Sequence, residues 1–199
     1  MKLITYFAAI LWLTAAFAPF AKAADSSPSR TQIKLLTPFS FGRISNGLNA
    51  AEKASGSCFT ESVASSSRPD AWRCMAGNAI MDPCYQNLMG DPKVLACTRD
   101  PWSNNVVLLS LTAPLPNDRR KEVDRNATLP WALELVTGQH CSLFTGATAP
   151  IAGMRINYGC PGGWNIVGDI DRSQPVWRVF AQAESSSVLE QVDIAVAWY

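Results

Sequence analysis

Short apolar runs alternate with turn-forming residues along most of this chain, and the pattern is clearest at its C-terminal end. Trp131, Leu133 and Leu135 alternate with Ala132, Glu134 and Val136, the period of two expected of a half-buried strand. Thr137-Gly138 marks a turn, and Cys141, Leu143 and Thr145 continue beyond it as the second arm of a hairpin. Residues 154–158, 164–167 and 176–183 predict three more strands, with Gly162-Gly163 turning the chain between the first two. A Ser-rich turn at 185–187 precedes Val192, Ile194, Val196 and Trp198, which alternate to the end. Upstream, the β-branched and aliphatic runs 94–98 and 106–112 read the same way. Strands this short and evenly spaced predict an antiparallel sheet or a small barrel.

Before residue 93 the signals change. Pro69 suits the first position of a helix, Asp70 its positive end and Gly77 its exit. Asp82-Pro83-Cys84 opens a second short helix in the same way, with Gly90 closing it. The expected class is α+β, mostly β: short helices near residues 69–90, then an antiparallel sheet or small barrel. Residues 24–40 carry Ser26, Ser27, Pro28, Ser29 and Pro38, and residues 41–57 are small and polar with no firm period. The stretch 24–57 therefore reads as a flexible lead-in, and 58–199 as a single β-rich domain.

The N-terminus is of another kind. Lys2 gives a short positive start, an apolar run follows from Leu3 to Phe20, and Ala21-Lys22-Ala23 places small residues where a signal peptidase reads them. The reading is a signal peptide cleaved after Ala23, leading to the periplasm or the exterior; the competing reading is an uncleaved anchor of an ectodomain. Loss of Lys2 and Lys22 lowers the 17 basic residues to 15 against 16 acidic ones, a net charge of −1. A near-neutral chain carries no electrostatic footprint for nucleic acid. No later segment is apolar enough to span a membrane.

Export changes the meaning of the six cysteines, Cys58, Cys74, Cys84, Cys97, Cys141 and Cys160. An even number in an oxidising compartment suggests up to three disulfides, and 15 pairings are open. The expectation is that sequence neighbours pair: Cys58 with Cys74, Cys84 with Cys97, Cys141 with Cys160. Zinc and redox dithiol sites need pairs two to four residues apart, whereas the closest pair here, Cys74 and Cys84, lies ten apart. No metal is expected.

Candidate chemistry is sparse. His140 is the single histidine, so a nucleophile–base pair has one base to draw on; beside Cys141 it reads as an ordinary strand residue. There is no phosphate-binding loop and no Gly-x-Gly-x-x-Gly, so no nucleotide cofactor is expected. Asp169 and Asp171 share one face of an extended segment near Trp164 and Trp177, and with Glu134 they are the candidate carboxylates for glycan chemistry. The alternative for Gly168-Asp169-Ile170-Asp171-Arg172 is a turn in which Arg172 pairs with either acid. Of the six tryptophans beyond residue 23, Trp131, Trp177 and Trp198 sit in strand patterns and read as core. Trp102 and Trp164, flanked by Pro101 and Gly163, are the candidates for an exposed binding role, with Arg172 beside them. The mixed charges of the 114–125 loop read as a solvated surface. Asn126-Ala127-Thr128 fits the glycosylation acceptor pattern and marks a surface loop.

Several runs together resemble a group of secreted, cysteine-containing bacterial proteins of unassigned function: Ala71-Trp72-Arg73-Cys74, Asp82-Pro83-Cys84, Pro130-Trp131-Ala132-Leu133-Glu134-Leu135, Asn157-Tyr158-Gly159-Cys160 and Asp171-Arg172-Ser173-Gln174-Pro175-Val176-Trp177. The resemblance covers residues 58–199 and implies that the cysteine framework and the β-rich end form one unit. It brings no catalytic residue. The sequence thus points first to a non-enzymatic binding or interaction protein of the envelope or exterior, an enzyme inhibitor among the options, with a protein or an envelope glycan as partner. A carboxylate-based glycan or cell-wall hydrolase and an anchored structural or sensory ectodomain are the alternatives.

Overall fold

A computed structural model describes residues 28–116 and 123–199. The expected signal peptide, the start of the lead-in and residues 117–122 of the charged loop lie outside the described residues. The chain opens with β1 (Gln32–Lys34) and a small hairpin, β2 (Phe39–Ser40) and β3 (Arg43–Ile44). Five strands then close into a first barrel: β4 (Asn49–Glu61), β5 (Ala71–Ala76), β6 (Ala79–Gln86), β7 (Val94–Cys97) and β8 (Asn105–Leu111). Its neighbours are antiparallel except at the seam, where β4 and β8 run parallel, as an odd number of up-and-down strands requires.

The second barrel is all antiparallel. It uses β9 (Ala132–Leu135), β10 (His140–Leu143), β12 (Met154–Cys160), β13 (Trp164–Asp171), β14 (Arg178–Gln182) and β15 (Glu190–Trp198), while β11 (Pro150–Ile151) pairs on the side of β12. Pairing of β15 with β9 closes it. Closure removes the free edges that an open sheet of this size would expose to aggregation.

The short helices expected near 69–90 are absent; that stretch is the β5–β6 hairpin. Ala71-Trp72-Arg73-Cys74 has its buried positions at Ala71, Trp72 and Cys74, and Cys74 sits opposite Cys58. Ala76 pairs with Ala79 across a two-residue turn in which Gly77 has φ of 57°, and a glycine at that first position is a hairpin signal. The residues taken as a helix exit are thus the turn of a hairpin. The only helical turn among the described residues is a 3-10 turn, Arg125–Ala127.

The flexible lead-in is also corrected from residue 28 onward. Lys34 and its neighbours pair with 196–198 of β15, along the edge that β14 leaves after Asp193. Residues 49–57 are the first part of β4, whose polar character reflects exposure on one side of a barrel wall. Gly56 is required there, because a Cβ would lie 2.0 Å from the Met75 carbonyl oxygen of β5.

Each barrel has its own core. Trp72, Leu95, Leu109 and four cysteines fill the first; Leu133, Tyr158, Ile166, Ile194 and the remaining cysteine pair fill the second. The cysteines pair as sequence neighbours, Cys58–Cys74, Cys84–Cys97 and Cys141–Cys160. Each bridge joins adjacent strands of one barrel, and none joins the two barrels. A third buried cluster does that: Leu36, Ala64, Ala71 and Tyr85 meet Trp131 and Ala132, with Trp102 and Trp198 packed at its margin.

Candidate functional site

The residues singled out for chemistry are dispersed. Asp169 and Asp171 stand exposed on the outer face of β13. The Asp171 carboxylate accepts the Ser173 N–H at 2.9 Å. Its hydrogen bonds with Ser173 hold the carboxyl below its ordinary pKa, which suits a turn rather than a general acid. Glu134 lies on β9, three strands around the barrel from β13, and accepts the Trp198 indole N–H at 2.8 Å. The three carboxylates form no constellation. Among the described residues Arg172 bonds to neither aspartate; its guanidinium donates to the carbonyls of Asn126 and Thr128, both at 2.6 Å, and covers the Trp177 ring.

Nor do the two tryptophans expected to be exposed stand free. Trp102 stacks on His140 with ring centroids 4.5 Å apart, against the cluster between the barrels. Trp164 packs its half-buried ring on the core of the second barrel. Gly163 marks the start of β13, whereas Pro101 lies within the β7–β8 connection; in both places the large ring finds apolar cover. Among the described residues no group of three or more His, Cys, Asp or Glu side chains could hold a metal ion.

Two other places are built more deliberately. The first is a cleft of about 530 Å³ between the β5–β6 hairpin and the β7–β8 connection, with Glu52, Asp82, Arg99 and Asp100 on its walls. Asp82 is the buried member. Its Oδ1 accepts the Ser62 hydroxyl at 2.5 Å, and its Oδ2 accepts the N–H groups of Val63 and Ala64 at 3.1 and 3.4 Å. Arg73 lies 3.7 Å away. Burial raises the carboxyl above its ordinary pKa, against the pull of these hydrogen bonds and of Arg73. Both oxygens are thus committed to pinning the chain turn at 62–64 onto β6, which makes Asp82 a clamp rather than a free acid.

The second place is a tip formed by two loops. Between β2 and β3 the chain turns through Phe41 and Gly42, with φ of 49° and 76°. Two successive positive φ values are the mark of a type I′ turn, whose first position favours Asn, Asp or Gly. The same geometry recurs at Ala152-Gly153, where the first residue is small. At position 41 it is a phenylalanine, which costs about 1–2 kcal/mol of backbone strain. The ring recovers nothing by burial, being 86% exposed. The β6–β7 loop abuts this turn: the buried Asn87 donates from Nδ2 to the Gly42 carbonyl at 3.0 Å. A Cβ on Gly42 would meet the Met89 carbonyl oxygen at 2.7 Å. Leu88 and Met89, 72% and 73% exposed, complete an apolar tip with Phe41.

Beside the tip lies a small cleft of about 270 Å³ reaching Tyr85 and the Arg68–Asp70 pair. Arg68 donates from Nε and Nη2 to the two Asp70 oxygens at 2.8 and 2.7 Å, and from Nη1 to the Leu36 carbonyl. Its guanidinium sits over the Tyr85 ring, 4.9 Å from the centroid. Burial pushes the Tyr85 phenol well above its ordinary pKa. The base of the tip is therefore rigid, held by a bidentate ion pair and an amide bridge.

No family model, curated protein or solved structure matches this chain. Function has to be read from the residues. The tip carried a signal in the sequence that periodicity overlooks: Leu88-Met89 is an apolar pair inside a stretch of turn formers, Gly90-Asp91-Pro92, and apolar side chains in a short turn have no core to enter.

Proposed function

We propose that this chain is an exported, non-enzymatic interaction protein, with residues 1–23 removed as a signal peptide, and that it docks a partner protein through the Phe41–Leu88–Met89 tip. The supporting observation is the tip itself. Three large apolar side chains stand in water on two loops that lock each other, one of them at a strained backbone position. Each forgoes about 1.5–3 kcal/mol that burial would give, and strain plus exposure at one spot is the pattern of a site kept for binding. A preformed apolar tip enters a concave partner surface with little ordering cost, the mode a secreted enzyme inhibitor would use. A glycan partner would call for aromatic faces amid hydrogen-bonding side chains, which this tip lacks. The three disulfides suit an oxidising compartment.

The test compares residues 24–199 with a Phe41→Ser/Leu88→Ser/Met89→Ser variant, both immobilised and exposed to envelope and culture-supernatant proteins. A species retained in stoichiometric amount by the first and lost by the second, at unchanged melting temperature, supports the reading. Equal retention by both would sink it, as would binding of the first to lipid vesicles in preference to any protein.

A further inference from the structure

Ahead of β9, in the chain that leads from the first barrel to the second, lies the 3-10 turn. The turn is made of Asp124-Arg125-Asn126-Ala127-Thr128. Asp124 caps it by accepting the Asn126 N–H on its carboxylate at 2.9 Å, and the Thr128 hydroxyl bonds the Arg125 carbonyl at 3.0 Å. Arg172 grips the turn from its backbone side through the carbonyls of Asn126 and Thr128. The Asn126 side chain is left on the exposed side, and among the described residues its amide has no hydrogen-bond partner.

We infer that Asn126 is a site of N-linked glycosylation by a transferase of the acid-requiring bacterial type. Asn-x-Thr is the general acceptor pattern, and this is the only stretch of the chain that has it. The bacterial transfer adds a demand for an acidic residue two positions before the asparagine, and Asp124 stands there. Five consecutive residues therefore carry acid, acceptor and hydroxyl at the spacing that enzyme reads. They lie on a surface turn where an added sugar displaces no core side chain. The assignment rests on the export reading and on the resemblance to secreted bacterial proteins, and is independent of the tip and its partner.

The co-substrate is an oligosaccharide linked to a lipid through a diphosphate. The Asn126 Nδ2 forms a bond to the anomeric carbon of the first sugar. The bond from that carbon to the diphosphate oxygen breaks, and its electron pair leaves with the lipid diphosphate. Nδ2 gives up one proton to a base of the transferase, so that a neutral glycosylamide remains. No oxidant or metal of this chain takes part. The glycan sits on the exposed side of the 3-10 turn, away from the backbone carbonyls that Arg172 grips.

The experiment treats folded protein, residues 24–199, with a purified acid-requiring bacterial oligosaccharyltransferase and its lipid-linked oligosaccharide, and reads intact mass. The expected result is one added oligosaccharide on the wild type, none on Asn126→Gln, and at least a tenfold loss of yield on Asp124→Ala. All three outcomes are readable because Asp124 and Asn126 are exposed and the two variants keep the fold, which a melting curve verifies. A free peptide of residues 122–130 is run alongside. Modification of the peptide with none on the folded protein would overturn the inference, since the turn is then closed to the enzyme. Modification of neither, sugar on any other residue, or full transfer to Asp124→Ala would overturn it as well.

Discussion

Phe41 puts two unfavourable terms on one residue, a positive φ and an exposed ring. Replacing it with glycine removes the strain and loses almost no burial, while the unfolded chain gains freedom worth about 0.4–1 kcal/mol. Against strain of about 1–2 kcal/mol, Phe41→Gly should raise stability by roughly 0.5–1 kcal/mol and at the same time weaken partner capture. Urea denaturation checks the first half; a fall in stability would mean that the ring is supported by its surroundings. Asp82 presents the opposite case, a polar side chain with 4% exposure whose removal strands its partners. Asp82→Ala leaves the hydroxyl of buried Ser62 and the N–H of buried Ala64 without this acceptor, and should cost about 2–4 kcal/mol. The pH dependence has a definite sign. The folded-state pKa is raised above the usual aspartate value of 3.8, so the protonated carboxyl is the form that folding favours. That contribution is fully present below 3.8 and is lost as pH rises through the folded pKa. Wild type should therefore lose stability relative to Asp82→Asn as pH climbs from 3.8 through the acid range, and a difference flat in pH would remove this account of the clamp.

At the level of elements, the strands beyond residue 93 were legible because a half-buried barrel wall writes its period of two directly into the sequence. Leu133 and Leu135 point into the second barrel while Ala132 and Glu134 point out, as the alternation requires. The β5–β6 hairpin was not legible by the same rule. Pro69, Asp70 and Gly77 mimic helix punctuation, and the alternation that opposes them is carried by only three buried residues, Ala71, Trp72 and Cys74. Cysteine spacing was the better guide, since Cys58 and Cys74 can bridge as directly opposed residues only if both lie on neighbouring strands. The placement of the candidate carboxylates was legible only in part: shared orientation along β13 follows from the sequence, but the position of Glu134 three strands away depends on barrel closure, a tertiary fact. The disulfides also set a prediction at this scale. Their sequence separations, 16, 13 and 19 residues, are so alike that loop-closure entropy assigns each a similar worth, about 3 kcal/mol. Replacing Cys141 and Cys160 together with serine should lower the unfolding free energy by about that amount, and replacing Cys58 and Cys74 should do the same. A measured difference between the two double variants of more than about 2 kcal/mol would show that packing, rather than chain entropy, governs their contribution.

For the whole molecule, the decisive fact is where the covalent staples do not run. Two disulfides lie within the first barrel and one within the second, so no bridge couples the halves. Their coupling depends on the aromatic cluster that joins Ala71 and Tyr85 to Trp131 and Ala132, and on the N-terminal strand. That strand pairs with β15 of the second barrel through residues 32–34, and two residues later buries Leu36 in the shared cluster. It then runs on into β4 of the first barrel, lacing one to the other. Apolar contact of this kind is strong enough to make two small barrels unfold together, since each alone is near the size at which a core is marginal. Ala132 is fully buried at the junction, on the outer face of β9 rather than in the core of its barrel. An Ala132→Arg substitution places an unpaired charge there, at a cost of about 3–5 kcal/mol, without touching either core or any disulfide. Calorimetry should record one cooperative transition for the wild type and two for the variant, the barrels now melting at separate temperatures. If the variant instead melts in one transition at lower temperature, the barrels share more than the junction, and the unit of folding is the whole chain.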